Sequence, residues 1–158
     1  MNVDSAEFKR ILGHWATGVA VVTARAAAGE PVGLTATAFA SLSLEPPLVL
    51  VCVDHCSNSH AHIQESAAFS VNVLADDGER LARRFAEDVE NKFEGVAWSP
   101  GATGSPVLQG ALAWVDCRLT RTHAGGDHTI FVGEVVAGGA REGAPLLYYR
   151  GGYGRFSP

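Results

Sequence analysis

Four stretches of the chain hold residues whose types and spacing suit chemistry at a bound ligand. Between Gly33 and Ser43 the run Gly33-Leu34-Thr35-Ala36-Thr37-Ala38-Phe39-Ala40-Ser41-Leu42-Ser43 concentrates small side chains and hydroxyls where a strand would leave for a turn. Side chains this small let main-chain N–H groups approach the edge of a planar heterocycle that offers carbonyl and nitrogen acceptors. A plain strand edge explains the same residues equally well. Ser57-Asn58-Ser59 follows an apolar run and precedes a helical pattern. Hydroxyls and free N–H groups at the positive end of a helix suit a phosphate, although ordinary N-capping needs the same residue types. Arg83, Arg84 and Lys92 offer positive charge for that phosphate, or else a solvated helix face. Asp127-His128 sits at a loop tip, where an imidazole either stacks on a ligand or is simply solvated.

Other chemistries are disfavoured. No Gly-x-Gly-x-x-Gly follows a strand-like run and no Walker-type loop is present, so a nucleotide has to be held by another device. Cys52, Asp54, His55, Cys56, His60 and His62 match no regular two-Cys, two-His spacing, and Cys52 lies inside an apolar run; no metal centre is expected. Three cysteines are an odd set and read as free thiols. With 12 basic and 17 acidic residues, a net charge of -5, nothing favours a nucleic acid or an anionic membrane as partner. The start, Met1 to Lys9, has no apolar run of the kind a secretory signal needs, and Leu48 to Val53 is too short to span a bilayer, so a cytoplasmic location is expected.

The elements that position these residues read mainly as strands. The 158 residues, 47% apolar and 18% charged, are expected to form one domain over 1–158. Asp4 to Gly18 reads as a helix with Phe8, Ile11, Leu12 and Trp15 on one face and Asp4 and Glu7 as a loose capping pair. Gly18 to Ala24 and Val32 to Phe39, joined by Ala28-Gly29-Glu30-Pro31, form a predicted hairpin. Leu48-Val49-Leu50-Val51-Cys52-Val53 lacks polar alternation, as a central strand covered on both faces would. A short helix capped by Ser57 or Asn58 runs through His62 to Ala67, a strand spans Phe69 to Leu74, and Asp76-Asp77 opens a helix carrying Leu81 and Phe85. Phe93 to Gly110, rich in Gly, Pro and Ser, is predicted to be a long functional loop. Ala111 to Thr122 and Thr129 to Ala137 flank a turn at residues 123–128; Ala113, Val115, Cys117 and Leu119 face one way, Asp116, Arg118 and Thr120 the other. Leu146 to Tyr149 adds a strand. Many short strands without βαβ alternation predict an antiparallel split β-barrel with a few short flanking helices.

Taken together, these segments resemble the flavin reductase-like family, the short reductase components of two-component flavin-dependent monooxygenases. The resemblance rests on Trp15-Ala16-Thr17-Gly18-Val19-Ala20-Val21-Val22-Thr23, on Gly33-Leu34-Thr35-Ala36, on Phe39, Ser41, Ser43 and Pro46-Pro47-Leu48-Val49, on Phe69-Ser70-Val71-Asn72-Val73-Leu74, and on Gly126-Asp127-His128-Thr129-Ile130-Phe131-Val132-Gly133-Glu134-Val135. It implies an FMN-binding split barrel, usually a homodimer with flavin sites near the subunit interface. It also implies that Thr35, Ala36, Thr37 and Ala38, with Ser41 in the same segment, bind the flavin ring. By the same resemblance Cys52, Val53, Asp54, Ser57, Asn58 and Ser59 line the flavin and its phosphate, and His128 lies by the nicotinamide. Lys92 and Phe93 match a basic-aromatic pair near the flavin tail, and the tail Gly151-Gly152-Tyr153 resembles the end that closes over the site. Where the family often has Asn or Ser followed by Ser, this chain has Thr37-Ala38, which leaves main-chain donors to meet the ring. The implied reaction is hydride transfer from NADH or NADPH to FMN or FAD, with a monooxygenase as the recipient of reduced flavin. The alternatives are an FMN-binding module without reductase activity and an oxidase of the pyridoxamine-phosphate type.

Overall fold

The structure is a computed structural model and describes residues 2–158. Its elements in chain order are α1 (Ser5–Leu12), β1 (Thr17–Gly18), β2 (Ala20–Arg25), β3 (Pro31–Ala36), β4 (Phe39–Leu44), β5 (Pro47–Asp54), α2 (His60–Ser66), β6 (Ala68–Val73), α3 (Glu79–Ala86), β7 (Trp98–Pro100), β8 (Pro106–Leu108), β9 (Ala113–Gly125), β10 (His128–Ala140), β11 (Leu146–Tyr149) and β12 (Gly152–Arg155). Seven strands form one antiparallel sheet in the order β3-β2-β6-β9-β10-β5-β4. The two outermost strands are consecutive in the chain, and the Cys52 N–H donates to the Ala38 carbonyl at 3.0 Å where the chain passes from β3 to β4. The sheet therefore curls round towards its own edge, as a split barrel requires. Smaller sheets, β1-β11-β12 and β7-β8, flank it.

One buried cluster fills the barrel, with Val22, Val51, Val53, Phe69, Val71, Cys117 and Phe131 among its members. A second, with Val19, Val21, Leu74, Phe85, Leu108 and Leu146, lies between the other face of β2 and the helix α3. Strand β2 is thus covered on both sides, which explains its unbroken apolar run. Gly133 marks the tightest point of the barrel. A Cβ there would lie 2.6 Å from Phe69 Cζ and 2.8 Å from Cys117 Cβ, all fully buried. Gly133→Ala should therefore cost about 1–3 kcal/mol, read by urea unfolding, because the core has no room for a methyl group. Stability within about 0.5 kcal/mol of the parent, the range of an ordinary surface change, would contradict this packing.

Several expectations are corrected. The first helix stops at Leu12, capped by Gly13, and Thr17-Gly18 pairs instead with Tyr148 and Leu147 of β11. Asp4 does cap it, its carboxylate accepting the Glu7 N–H at 2.8 Å. The face of Phe8, Ile11, Leu12 and Trp15 is exposed, Trp15 by 75%. Strand β5 is next to an edge, between β10 and β4, and alternates: Val49, Val51 and Val53 are buried while Leu48, Leu50 and Cys52 are only half-buried. The cap of α2 is Ser59, with no side-chain bond, because the Asn58 amide is turned to the Asp88 carboxylate.

The segment from Phe93 to Gly110 is no free loop. It contains the β7–β8 pair and is held to the barrel by buried polar groups. Asn72 accepts the Leu108 N–H at 2.8 Å. Asp116, expected on an outward face, is fully buried, since this segment covers it. The long hairpin also extends further than predicted: β9 and β10 stay paired to Gly125 and His128, leaving a turn of Gly126 and Asp127 alone. Gly126 has φ +71°, the conformation the first turn residue of such a hairpin needs.

Candidate functional site

Four chain segments meet at the end of the barrel where β5 finishes and β10 begins. The β3–β4 connection brings Thr37 and Ala38, both exposed, beside Cys52. Strand β5 brings Cys52, Val53 and Asp54, and Asp54 pairs with His128 across the ladder. The loop after β5 holds Cys56, Ser57 and Asn58, and its His55 N–H donates to the Asp127 carbonyl of the hairpin turn at 3.0 Å. The segment after α3 reaches in from the side through Asn58 and Asp88.

On this rim the side chains are small and the main chain is available. The N–H groups of Thr37 and Ala38 have no protein acceptor among the described residues, while the Ala38 carbonyl is used by Cys52. The Thr35 hydroxyl is spent on the Ala82 carbonyl of α3 at 2.6 Å, so it fixes the helix to the rim instead of facing a ligand. Ala36 is buried in the core. In the β5–α2 loop the Asp54 carboxylate accepts the Cys56 N–H at 2.8 Å, and Ser57 Oγ accepts the Ser59 N–H at 3.3 Å. Ser41 lies further along β4, opposite Val49, and is exposed.

The remaining expected residues stand at a second remove. Lys92 donates to the Gly33 and Phe85 carbonyls at 3.3 and 3.1 Å, so its ammonium ties β3 to α3. Burial holds its pKa below the usual lysine value. Phe93 packs edge-on to Phe85 at 4.9 Å within the second core cluster. Tyr153 lies against Tyr148 at 5.3 Å and under the Arg83 guanidinium at 4.9 Å. Arg83 is paired with Glu79, and Arg84 donates to the Asn91 carbonyl. The structure therefore brings Thr37, Ala38, Cys52 to Asn58 and His128 together and sets Ser41, Phe93 and Tyr153 apart from that group.

His128 is held by its neighbour. Its Nδ1 is 2.6 Å from the Asp127 carboxylate, and its Nε2 has no hydrogen-bond partner among the described residues. The hydrogen bond to His128 keeps the Asp127 carboxyl below the usual carboxylate range. Beside this pair stand three side chains that sequence reasoning did not assign. His55 Nε2 and His60 Nε2 both reach Thr129 Oγ1, at 3.1 and 2.8 Å, and the two rings meet edge to face at 5.2 Å. The contacts join residues 74 and 69 positions apart, so no local spacing announces them.

Burial first, then the neighbouring His55, pushes the His60 imidazole below its ordinary pKa, with Asp54 opposing. Because the unfolded chain takes up this proton more readily, stability falls as pH drops through about 6.5 towards the lower folded value. The melting temperature should therefore decline between pH 7.5 and 5.5, and a His60→Gln variant, which cannot titrate, should show a shallower decline. Identical slopes would show that His60 does not contribute.

Comparison with known proteins agrees with this architecture. The flavin reductase-like domain matches residues 12–157. The reductase subunit of a flavin-dependent monooxygenase from Rhodococcus jostii (strain RHA1) is 43% identical over 157 residues, covering 99% of this chain and 80% of that protein. Among solved structures, nitrilotriacetate monooxygenase component B from Mycobacterium thermoresistibile superposes with a TM-score of 0.94 at 40% identity, over 99% of this chain and 88% of that one. An NADH:FAD oxidoreductase of Streptomyces globisporus, in complex with NAD and FAD fragments, superposes with a TM-score of 0.92 at 39% identity, over 98% and 94% of the two chains. On a domain match and an identity that both run through nearly its whole length, this chain belongs to the flavin reductase-like family.

Proposed function

We infer that this protein is an NAD(P)H:flavin oxidoreductase that supplies reduced FMN or FAD to a partner monooxygenase. The observation that carries the reading is the meeting, at one barrel end, of a rim with acceptor-free N–H groups and a turn that presents an imidazole, in a chain of the flavin reductase-like family. When bound, the nicotinamide gives a hydride from C4 and the flavin takes it at N5, so the bond-making belongs to the two cofactors.

The residues present fit a flavin. Thr37 and Ala38 donate main-chain N–H groups to the acceptors of the ring edge, and their small size keeps the approach open. Ser57 and Asn58 would hold the phosphate together with Ser59, the Asn58 amide giving up Asp88 and the Ser59 N–H giving up Ser57 Oγ to do so. Lys92 acts indirectly, by keeping β3 against α3. Asp127 fixes the His128 ring, and Nε2 of His128 then orients the nicotinamide arm. No general acid is required.

The working form is a homodimer. Phe8, Ile11 and Leu12 on α1, Trp15 just after it, Leu42 and Leu44 on the edge strand, and the outer face of β5 expose more apolar surface than an isolated barrel would keep in water. The rim itself is open, with Thr37, Ala38, Asp54 and Asn58 all exposed, and a second copy supplies the missing wall. A cytoplasmic location suits a partner that needs reduced flavin from a pyridine nucleotide. Among the described residues no helix is long and apolar enough to cross a membrane. NADH oxidation measured with and without added FMN or FAD tests the reading, alongside light scattering for the dimer. Flavin binding without nucleotide oxidation would make the chain a binding module only.

A further inference from the structure

We propose that Thr129 is a positioning residue that couples the two ligand sites, its hydroxyl clasping both ends of the β5–α2 loop to the strand that presents His128. The inference rests on the reductase reading and adds to it a residue that touches neither ligand.

The geometry is specific. Thr129 is the second residue of β10, directly after His128, and pairs with Val53 and Ala124 on either side. Its Oγ1 is 3.1 Å from His55 Nε2 and 2.8 Å from His60 Nε2. His55 opens the β5–α2 loop and His60 is the first residue of α2, so the two imidazoles bracket Cys56, Ser57, Asn58 and Ser59, the segment assigned to the phosphate. One hydroxyl thus holds both ends of that segment. Phe131 backs the His60 ring edge-on at 5.2 Å, and the His55 N–H bond to the Asp127 carbonyl adds a second tie between loop and turn.

The hydroxyl also imposes a rule on the histidines. It has one proton to give and lone pairs to receive. The two rings are its only hydrogen-bond partners among the described residues, so use of its proton has it donate to a bare Nε2 on one ring and accept an N–H from the other. The burial that holds His60 below its ordinary pKa favours the neutral form of that ring. Loss of the hydroxyl leaves both imidazoles without that partner and leaves the loop tied to the hairpin by the His55 N–H and the packing of His60 on Phe131 alone. Because coupling between two sites is reciprocal, order at the phosphate end should favour nicotinamide binding and the converse.

The test compares Thr129→Val and Thr129→Ser in the full-length protein, with NADH and either FMN or FAD as the probes. Valine keeps the β-branched shape and removes the hydroxyl; serine restores the hydroxyl. Thr129→Val should raise both the KM for NADH and the Kd for flavin about five- to tenfold, with kcat at saturation within about twofold, and Thr129→Ser should recover most of the loss. In the nitrogen NMR spectrum of the imidazoles, assigned with His55→Gln and His60→Gln, the parent should show one protonated and one bare Nε2, a pattern absent from Thr129→Val. A valine variant with unchanged KM and Kd, or a serine variant as impaired as valine, overturns the proposal. If the parent oxidises no NADH with either flavin, the reductase reading falls by itself; an imidazole spectrum unchanged by Thr129→Val overturns the clasp independently.

Discussion

Replacing His128 with alanine should raise the KM for NADH at least about tenfold while leaving the Kd for flavin within about twofold of the parent. The split follows from where the residue sits. His128 begins β10 at the hairpin turn, opposite Asp54 and outside the Thr37-Ala38 rim that would hold the ring. Its Nδ1 is committed to Asp127 at 2.6 Å, so a single nitrogen is presented with a fixed orientation. A contact made to nucleotide in both the ground and the transition state lowers KM without changing kcat, and its removal does the reverse. Asp127→Asn should give a smaller rise, since the amide still accepts a hydrogen bond but no longer holds the ring by charge. Steady-state kinetics with varied NADH, paired with fluorescence titration of flavin, checks both. Equal losses of NADH and flavin affinity in His128→Ala would mean that the turn serves the fold and not the nucleotide.

The second large effect is on stability. Asp116→Ala should cost about 3 kcal/mol or more, because the carboxylate is fully buried and three donors depend on it. Ser70 Oγ and Thr103 Oγ1 donate to one oxygen at 2.9 and 2.7 Å, and the Thr103 N–H donates to the other at 2.7 Å. Without the acceptor these groups are stranded in the interior, and the Gly101–Ser105 turn loses its anchor. The approach is so close that a Cβ at residue 101 would sit 2.6 Å from Asp116 Oδ2, which only glycine avoids. The adjacent Cys117 thiol, pushed up to about 12 by burial and by Asp116, stays protonated and inert in this setting. Urea unfolding of Asp116→Ala gives the loss directly; a midpoint close to that of the parent would show that the network contributes little.

What could be read from the sequence follows from how local its cause is. The β2–β3 hairpin was legible because Gly29 and Pro31 punctuate two apolar runs, and the barrel class followed from many short strands without helical crossovers. The far end of the β9–β10 hairpin was not legible, since residues 120–127 are exposed on both faces and lack any apolar alternation. There the main-chain ladder holds the strands, with the Thr120 hydroxyl donating to the Val132 carbonyl. The α1 boundary was misplaced for a related reason: Trp15 continues the apolar spacing of the helix, although it lies beyond Gly13 and is exposed. Strand β5 looked central because its outer face is apolar, a face that the proposed homodimer would cover. At the site, the rim and the His128 turn could be named from composition and motif. The commitments of Thr35 to Ala82, of Lys92 to Gly33, and of Thr129 to two histidines could not, because each spans tens of residues.

The proposed seating of a flavin and a nicotinamide together at this barrel end is tested by the visible spectrum of the protein mixed with one equivalent of FMN or FAD, followed without oxygen as NADH is added. Loss of the oxidised flavin absorbance at a rate far above that of free flavin with NADH is the predicted result. A flavin spectrum and fluorescence unaltered by the protein, with NADH left unconsumed, would contradict it.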